Sequence, residues 1–149
     1  MRPALYRLGG GAADLAFHAA DIRDETRNMA LAKLMDAGFD EADVQQLWQT
    51  FPEDAFLRYR PDQLVWQTQG VLPQSAATSQ ILVRELAGRD SLEIFVRTPD
   101  RDGIFSGLLA TLDRLNLSVA HARILPSNDG FALDNFITLK GAHTPDAKR

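Results

Sequence analysis

The residues of this chain best placed to do chemistry are Asp100, Asp102, Gly103 and Ile104, within Thr98-Pro-Asp-Arg-Asp-Gly-Ile-Phe105. This stretch separates an alternating run from a helical one, so it predicts a loop feeding a helix amino terminus. Free N–H groups and the helix dipole favour an anion at such a terminus. An α-amino acid needs an acceptor for its ammonium group and donors for its carboxylate. Asp100 or Asp102 can supply the acceptor, and the backbone N–H groups of Gly103 and Ile104 the donors. The plainer alternative is that Asp100 caps the helix and Gly103 only permits close packing.

Other chemistries find less support. The three histidines, His18, His121 and His143, stand in none of the His-x-x-x-His, His-x-Glu or His-Asp spacings that hold metals. There is no Gly-x-Ser-x-Gly elbow. The absence of cysteine excludes disulfides and thiolate sites. Gly9-Gly10-Gly11 lacks the Gly-Lys-Ser/Thr continuation and preceding strand of a phosphate loop, and reads as a flexible lead-in. No catalytic residue and no metal ligand is assigned.

The elements that position the loop are legible around it. Ser91–Arg97 alternates, with Leu92, Ile94 and Val96 on one side and Glu93, Phe95 and Arg97 on the other, the pattern of a strand with one buried face. After the loop, Ile104, Phe105, Leu108, Leu109, Leu112 and Leu115 fall on one helical stripe. Asn116 ends the helix. Leu117–Leu125 predicts a second strand, Pro126-Ser-Asn-Asp-Gly130 a turn, and Phe131–Leu139 a third strand. Strand, helix and strand predict parallel pairing with a right-handed crossover, and the short turn an antiparallel third strand. That is most of a ferredoxin-like split βαβ motif. Gln80–Leu86 predicts a further strand, turned back by Ala87-Gly88-Arg89-Asp90 onto the edge of Ser91–Arg97.

The first half of the chain is helical. A helix is expected from about Ala12 to Ala37, closed by Gly38, with Leu15, Ile22, Met29 and Leu34 near one face. Asp21, Arg23, Asp24, Glu25 and Arg27 read as a solvated face with local ion pairs. Asp40 opens a second helix with Asp43 as the far half of a capping box. Val44, Leu47, Trp48 and Phe51 form its apolar side, and Pro52 stops it. A short helix or turn over Glu53–Arg60 precedes a helix opening at Pro61-Asp62 and carrying Leu64, Val65 and Leu72. Trp48, Phe51, Phe56, Tyr59 and Trp66 predict an aromatic core. Pro73–Ser79 is a small-residue linker. The fold class is α+β, with a helical segment over residues 1–73, a sheet domain over 80–140 and a tail over 141–149.

At 149 residues and 45% hydrophobic content the chain can bury a modest core and a helical satellite. A net charge of −4 and a pI near 5.3 argue against a nucleic-acid surface. No apolar run approaches the roughly 18 residues of a membrane span, and no signal-peptide core opens the chain. These features suggest a cytoplasmic protein that meets neither nucleic acid nor membrane.

Four blocks, Thr98–Phe105, Asn116-Leu-Ser-Val119, Ala122-Arg-Ile124 and Asp129-Gly-Phe-Ala-Leu-Asp-Asn-Phe136, resemble in order and spacing an ACT domain. ACT domains are small regulatory modules that usually bind amino acids. The helical half, with Leu47-Trp48, Phe56-Leu-Arg-Tyr59, Pro61-Asp62 and Val65-Trp66, extends the likeness. Together the two halves, over roughly residues 15–140, resemble the C-terminal region of the bifunctional uridylyltransferase/uridylyl-removing family. The resemblance implies a helical connector followed by a first ACT domain, incomplete as β-βαββ without the last helix and strand, and hence a piece of a longer protein. It implies glutamine or a similar amino acid as ligand, with Asn116 and Ser118 near the same sheet edge as the Asp100 loop. It further implies the signalling protein PII as a partner of the full-length protein. No cofactor is expected in this segment, magnesium belonging to the family's catalytic domains, whose signature residues have no counterparts here.

Two positions depart from the family's usual pattern: Gln67 stands where His is usual, and Asp102 where Pro is usual, making the loop more acidic and less rigid. Gln80–Leu86 is expected to occupy the sheet position left by the missing strand. The Phe95 face is expected to be covered by the aromatic helices or, in a homodimer, by a second copy of the chain. A free-standing ACT subunit of some other enzyme is the alternative. An RNA-recognition module, using Phe95 and Phe136 as stacking residues, is a weaker rival because it requires a basic surface.

Overall fold

The computed structural model describes residues 3–87 and 90–140, with side chains from Leu15 onward except at positions 16 and 17. The Gly88-Arg89 turn, His143 and the tail lie outside the described residues. The chain divides into two compact units between Leu72 and Pro73.

Among the described residues the first unit is four helices: α1 (Pro3–Asp36), α2 (Glu41–Trp48), α3 (Ala55–Arg58) and α4 (Pro61–Val71), with a 3-10 turn at Leu72–Gln74 following. Gly9–Gly11 is therefore helix, not a lead-in. Each helical glycine costs about 1 kcal/mol relative to alanine, but good helix formers on both sides carry the helix through. At the other end Gly38, at φ 96, closes α1. The Phe39 N–H reaches the Leu34 carbonyl at 3.0 Å and the Gly38 N–H the Met35 carbonyl at 3.0 Å, a paired cap that needs a left-handed residue.

The buried line of α1 is Thr26, Ala30 and Leu34, whereas Leu15, Ile22 and Met29 are exposed. The expected face was wrong because Leu34 sits about 140° around the helix from Met29, so the four residues were two stripes. α1 packs its inner line against α2, α3 and α4. Nor is the charged stretch wholly solvated. Arg23 and Arg27 leave α1 to meet Glu53 at 3.3 and 3.9 Å, and the Arg27 guanidinium lies 4.1 Å over the Phe56 ring.

Asp40 does precede α2 with extended backbone, but its side chain makes no cap bond, so the expected box with Asp43 is absent. An aspartate at the third position is one methylene shorter than the glutamate of that motif. In α4 the longer Gln63 does reach back, its Oε1 accepting the Arg60 N–H at 3.0 Å. Trp48, Phe51, Phe56 and Tyr59 are buried with Leu34, Val44, Leu64 and Val71. Trp48 meets Phe56 edge-on at 5.3 Å and donates from Nε1 to Thr68 Oγ1 at 2.9 Å. Trp66 is only half-buried and flanks this core, while Gln67 is fully buried.

The described residues of the second unit form a four-stranded sheet with one helix: β1 (Gln80–Glu85), β2 (Ser91–Pro99), α5 (Ile104–Arg114), β3 (Leu117–Pro126) and β4 (Phe131–Lys140). The order is β1-β2-β4-β3, and every neighbouring pair is antiparallel. β1 takes the place beside β2 expected for Gln80–Leu86, in a register from Gln80 opposite Arg97 to Glu85 opposite Leu92. β2 and β3 run the same way but do not pair, because β4 folds back from its turn into the gap beneath the crossover. With the helical unit ahead of it, this gives the α+β arrangement of a partial ACT or ferredoxin-like fold.

On one face of this sheet Ile94, Val96, Phe136 and Leu112 form the core, joined by Leu92, Leu108, Leu109 and Leu117. Phe105 stacks on Phe136 with ring centroids 6.2 Å apart. Leu115 does not join them: α5 ends at Arg114, and Leu115 is 63% exposed. β2 also departs from the expectation of one buried face, since Glu93, Phe95 and Arg97 are buried as well. It is an interior strand, hydrogen-bonded on both edges. Phe95 is fully buried. The charges on that face are matched. Glu93 accepts from Arg84 Nε at 2.8 Å, Arg84 Nη2 at 2.6 Å and Asn135 Nδ2 at 2.8 Å. Arg97 donates to Gln80 Oε1 at 2.9 Å and stacks 4.1 Å over Phe131.

Candidate functional site

β2 ends at Pro99, and the Asp100 N–H then donates to the Gly130 carbonyl at 2.9 Å, tying the loop to the β3–β4 turn. Gly103 precedes α5 at φ 81, ψ 0, with no side-chain cap bond to the helix. Neither aspartate therefore caps it. A Cβ added at Gly103 would meet nothing within 4 Å, so glycine is required for its left-handed backbone rather than for close packing. The Ile104 N–H turns back to the Arg101 carbonyl at 3.2 Å, which commits the donor expected to meet a ligand.

Asp100, Asp102, Gly103 and Ile104 come together on the wall of a cavity of about 420 Å³, whose apolar side is Phe105, Ile124, Leu125 and Ala132. That volume lies in the range of small-ligand pockets.

One acidic residue of the cavity is absent from the sequence-based expectations. Asp134 lines the same space, is 0% exposed, and has neither carboxylate oxygen hydrogen-bonded. Burial, followed by the charge of Asp100, pushes its pKa up to about 6. The available signal was parity: Ala132, Asp134, Phe136 and Thr138 share one face of β4, and an aspartate interrupts an otherwise uncharged row directed at α5.

A carboxyl whose folded pKa exceeds its unfolded value stabilises the fold fully below the unfolded pKa, and that contribution is lost as pH rises through the folded one. For Asp134 the window is from about 3.8 to about 6. Relative to Asp134→Asn, the native protein should therefore lose roughly 2–3 kcal/mol between pH 4 and pH 7. Denaturation of both proteins across that range checks this; a constant difference would refute it.

Asn116 and Ser118 do not join the site. Asn116 takes φ 62 just past α5, with its N–H on the Asp113 carbonyl at 2.9 Å, and Ser118 faces Leu139 in the strand register. α5 spans 11 residues, about 16 Å, so both stand at its far end. β3 runs back along the helix, and it is the other end of that strand, Ile124–Pro126, that reaches the loop.

His18 and His121 are exposed, His121 Nε2 lying 3.1 Å from Arg123 Nη2. Among the described residues no group of three or more His, Cys, Asp or Glu side chains could hold a metal ion. No described helix is long and apolar enough to cross a membrane.

Comparison with known proteins gives these elements a context. Residues 18–70 match the family model described as the uridylyltransferase GlnD fifth domain. The chain is 36% identical over 123 residues to the bifunctional uridylyltransferase/uridylyl-removing enzyme of Vibrio campbellii, covering 80% of this chain and 14% of that protein. The enzymes of the same name from Aliivibrio fischeri MJ11 and Xanthomonas oryzae pv. oryzae MAFF 311018 are 37% identical over 123 residues and 35% over 116. They too are much longer: the chain spans 14% and 13% of their lengths.

Proposed function

We propose a regulatory role for this chain, a homologue of one segment of the bifunctional uridylyltransferase/uridylyl-removing enzymes. In this reading the sheet unit senses glutamine or a similar amino acid, and the helical unit is the connector toward catalytic domains elsewhere in a longer protein. Those domains would transfer and remove UMP on PII, and this segment would report nitrogen status to them.

The observation that carries the ligand reading is the cavity of about 420 Å³ at the amino terminus of α5, acidic on its loop side and apolar opposite. A carboxylate suits the helix terminus, an ammonium group the acidic side, and a short side chain the apolar wall. Titration calorimetry with glutamine should give a saturable heat, and Asp100→Ala should weaken binding a few-fold by removing negative potential at the mouth. Heats indistinguishable from dilution at millimolar glutamine would end the sensor reading. An Asp100→Ala affinity equal to that of the native chain would remove the loop from it.

A further inference from the structure

We propose that Asp134, rather than the loop aspartates, receives the protonated amino group of an α-amino acid whose carboxylate lies on the first turn of α5. The inference rests on the amino-acid reading of this cavity and names the residue that gives it its specificity.

Three observations converge. Asp134 is fully buried, yet both its oxygens lack a partner among the described residues. Buried carboxylates without donors are costly, and the deficit marks a place where a donor is to arrive. Asp134 belongs to the wall of the same cavity as Gly103 and Ile104, so a buried acidic residue and the positive end of a helix border one space. An ammonium group brings three N–H donors and a charge of the right sign.

A hard divalent ion suits the place less well. It takes six or more oxygen ligands, and among the described residues no group of three or more potential metal-ligating side chains exists here. A simple amine would satisfy Asp134 but leave the helix terminus unused. Asp100 and Asp102 are exposed to water, where an ion pair contributes little, whereas the same pair at Asp134 is desolvated.

The charged groups around Asp134 are Asp100, Arg101 and Asp102 from the loop; the first turn of α5 and the Ile124–Pro126 end of β3 bring none. Asp134 is held largely protonated below about pH 6, and only its anion attracts an ammonium group. Affinity should therefore rise with pH through that value.

Titration calorimetry of the full chain with glutamine, and with its analogue lacking the α-amino group, tests the assignment. The native chain should bind glutamine in preference to the analogue, and more tightly at pH 7.5 than at pH 5. Asp134→Asn should lose about 10–100-fold in affinity and its pH dependence, while Asp100→Ala loses only a few-fold. Circular dichroism and thermal melts of Asp134→Asn should show a folded chain at least as stable as the native one. If the native chain binds glutamine and Asp134→Asn binds it equally well, the Asp134 assignment is wrong and the sensor reading survives. If the native chain binds no amino acid, both fall.

Discussion

Phe136→Ala will lower the stability of the sheet unit by about 3–5 kcal/mol. Phe136 is 1% exposed and lies at the centre of the cluster with Ile94, Val96 and Leu112. Its ring is also the surface on which Phe105 stacks, so truncation opens a cavity and releases the aromatic from the first turn of α5. Both tryptophans, Trp48 and Trp66, lie in the helical unit, so their fluorescence would report on the wrong part of the chain. Amide exchange of β2 and β4 is the suitable measurement. Protection there should fall by at least two orders of magnitude, and unchanged protection would contradict this account of the core. Leu115→Ala is the control: at 63% exposed, it should change stability by no more than about 0.5 kcal/mol.

Arg84→Met should cost about 3 kcal/mol, for a different reason. The Glu93 side chain is 1% exposed and its Arg84 partner 26%, with the contact at 2.6 Å. Removing the arginine strips a buried carboxylate of its cationic partner while the Asn135 amide still donates to it. The cost is the desolvation of that charge more than the loss of the pair itself. Glu93→Gln added to Arg84→Met should accordingly return more than half of the stability, because the amide carries no charge and still accepts from Asn135. A double variant as unstable as the single one would show that Arg84 acts through packing of its stem on β1 rather than through its charge. Exchange protection of the β1–β2 amides again separates these outcomes.

The local parts of this fold were legible from neighbouring residues alone. Alternation marked β2, the apolar stripe beginning at Ile104 marked α5, and the dense turn signal at Pro126–Gly130 marked the reversal between β3 and β4. Each depends on spacing within one segment, and backbone geometry gives such spacing one meaning. The acidic loop before α5 was legible in the same way, and so were four of the residues that line the cavity.

What no segment contains is the identity of the neighbour that arrives against it. α1 carries two apolar stripes, and only the packing of α2, α3 and α4 decided that Thr26, Ala30 and Leu34 are inside while Leu15, Ile22 and Met29 face water. β2 alternates as if half exposed, yet as an interior strand paired on both edges it has Glu93 and Arg97 buried too. The insertion of β4 between β2 and β3 carried Asp134 to the cavity at the start of α5, while the return course of β3 left Asn116 and Ser118 at the far end of that helix. Local periodicity is set by bonds along the chain; burial, partner and charge state are set by contacts across it. The loop of the candidate site therefore belonged to the sequence, and its buried carboxylate to the tertiary structure.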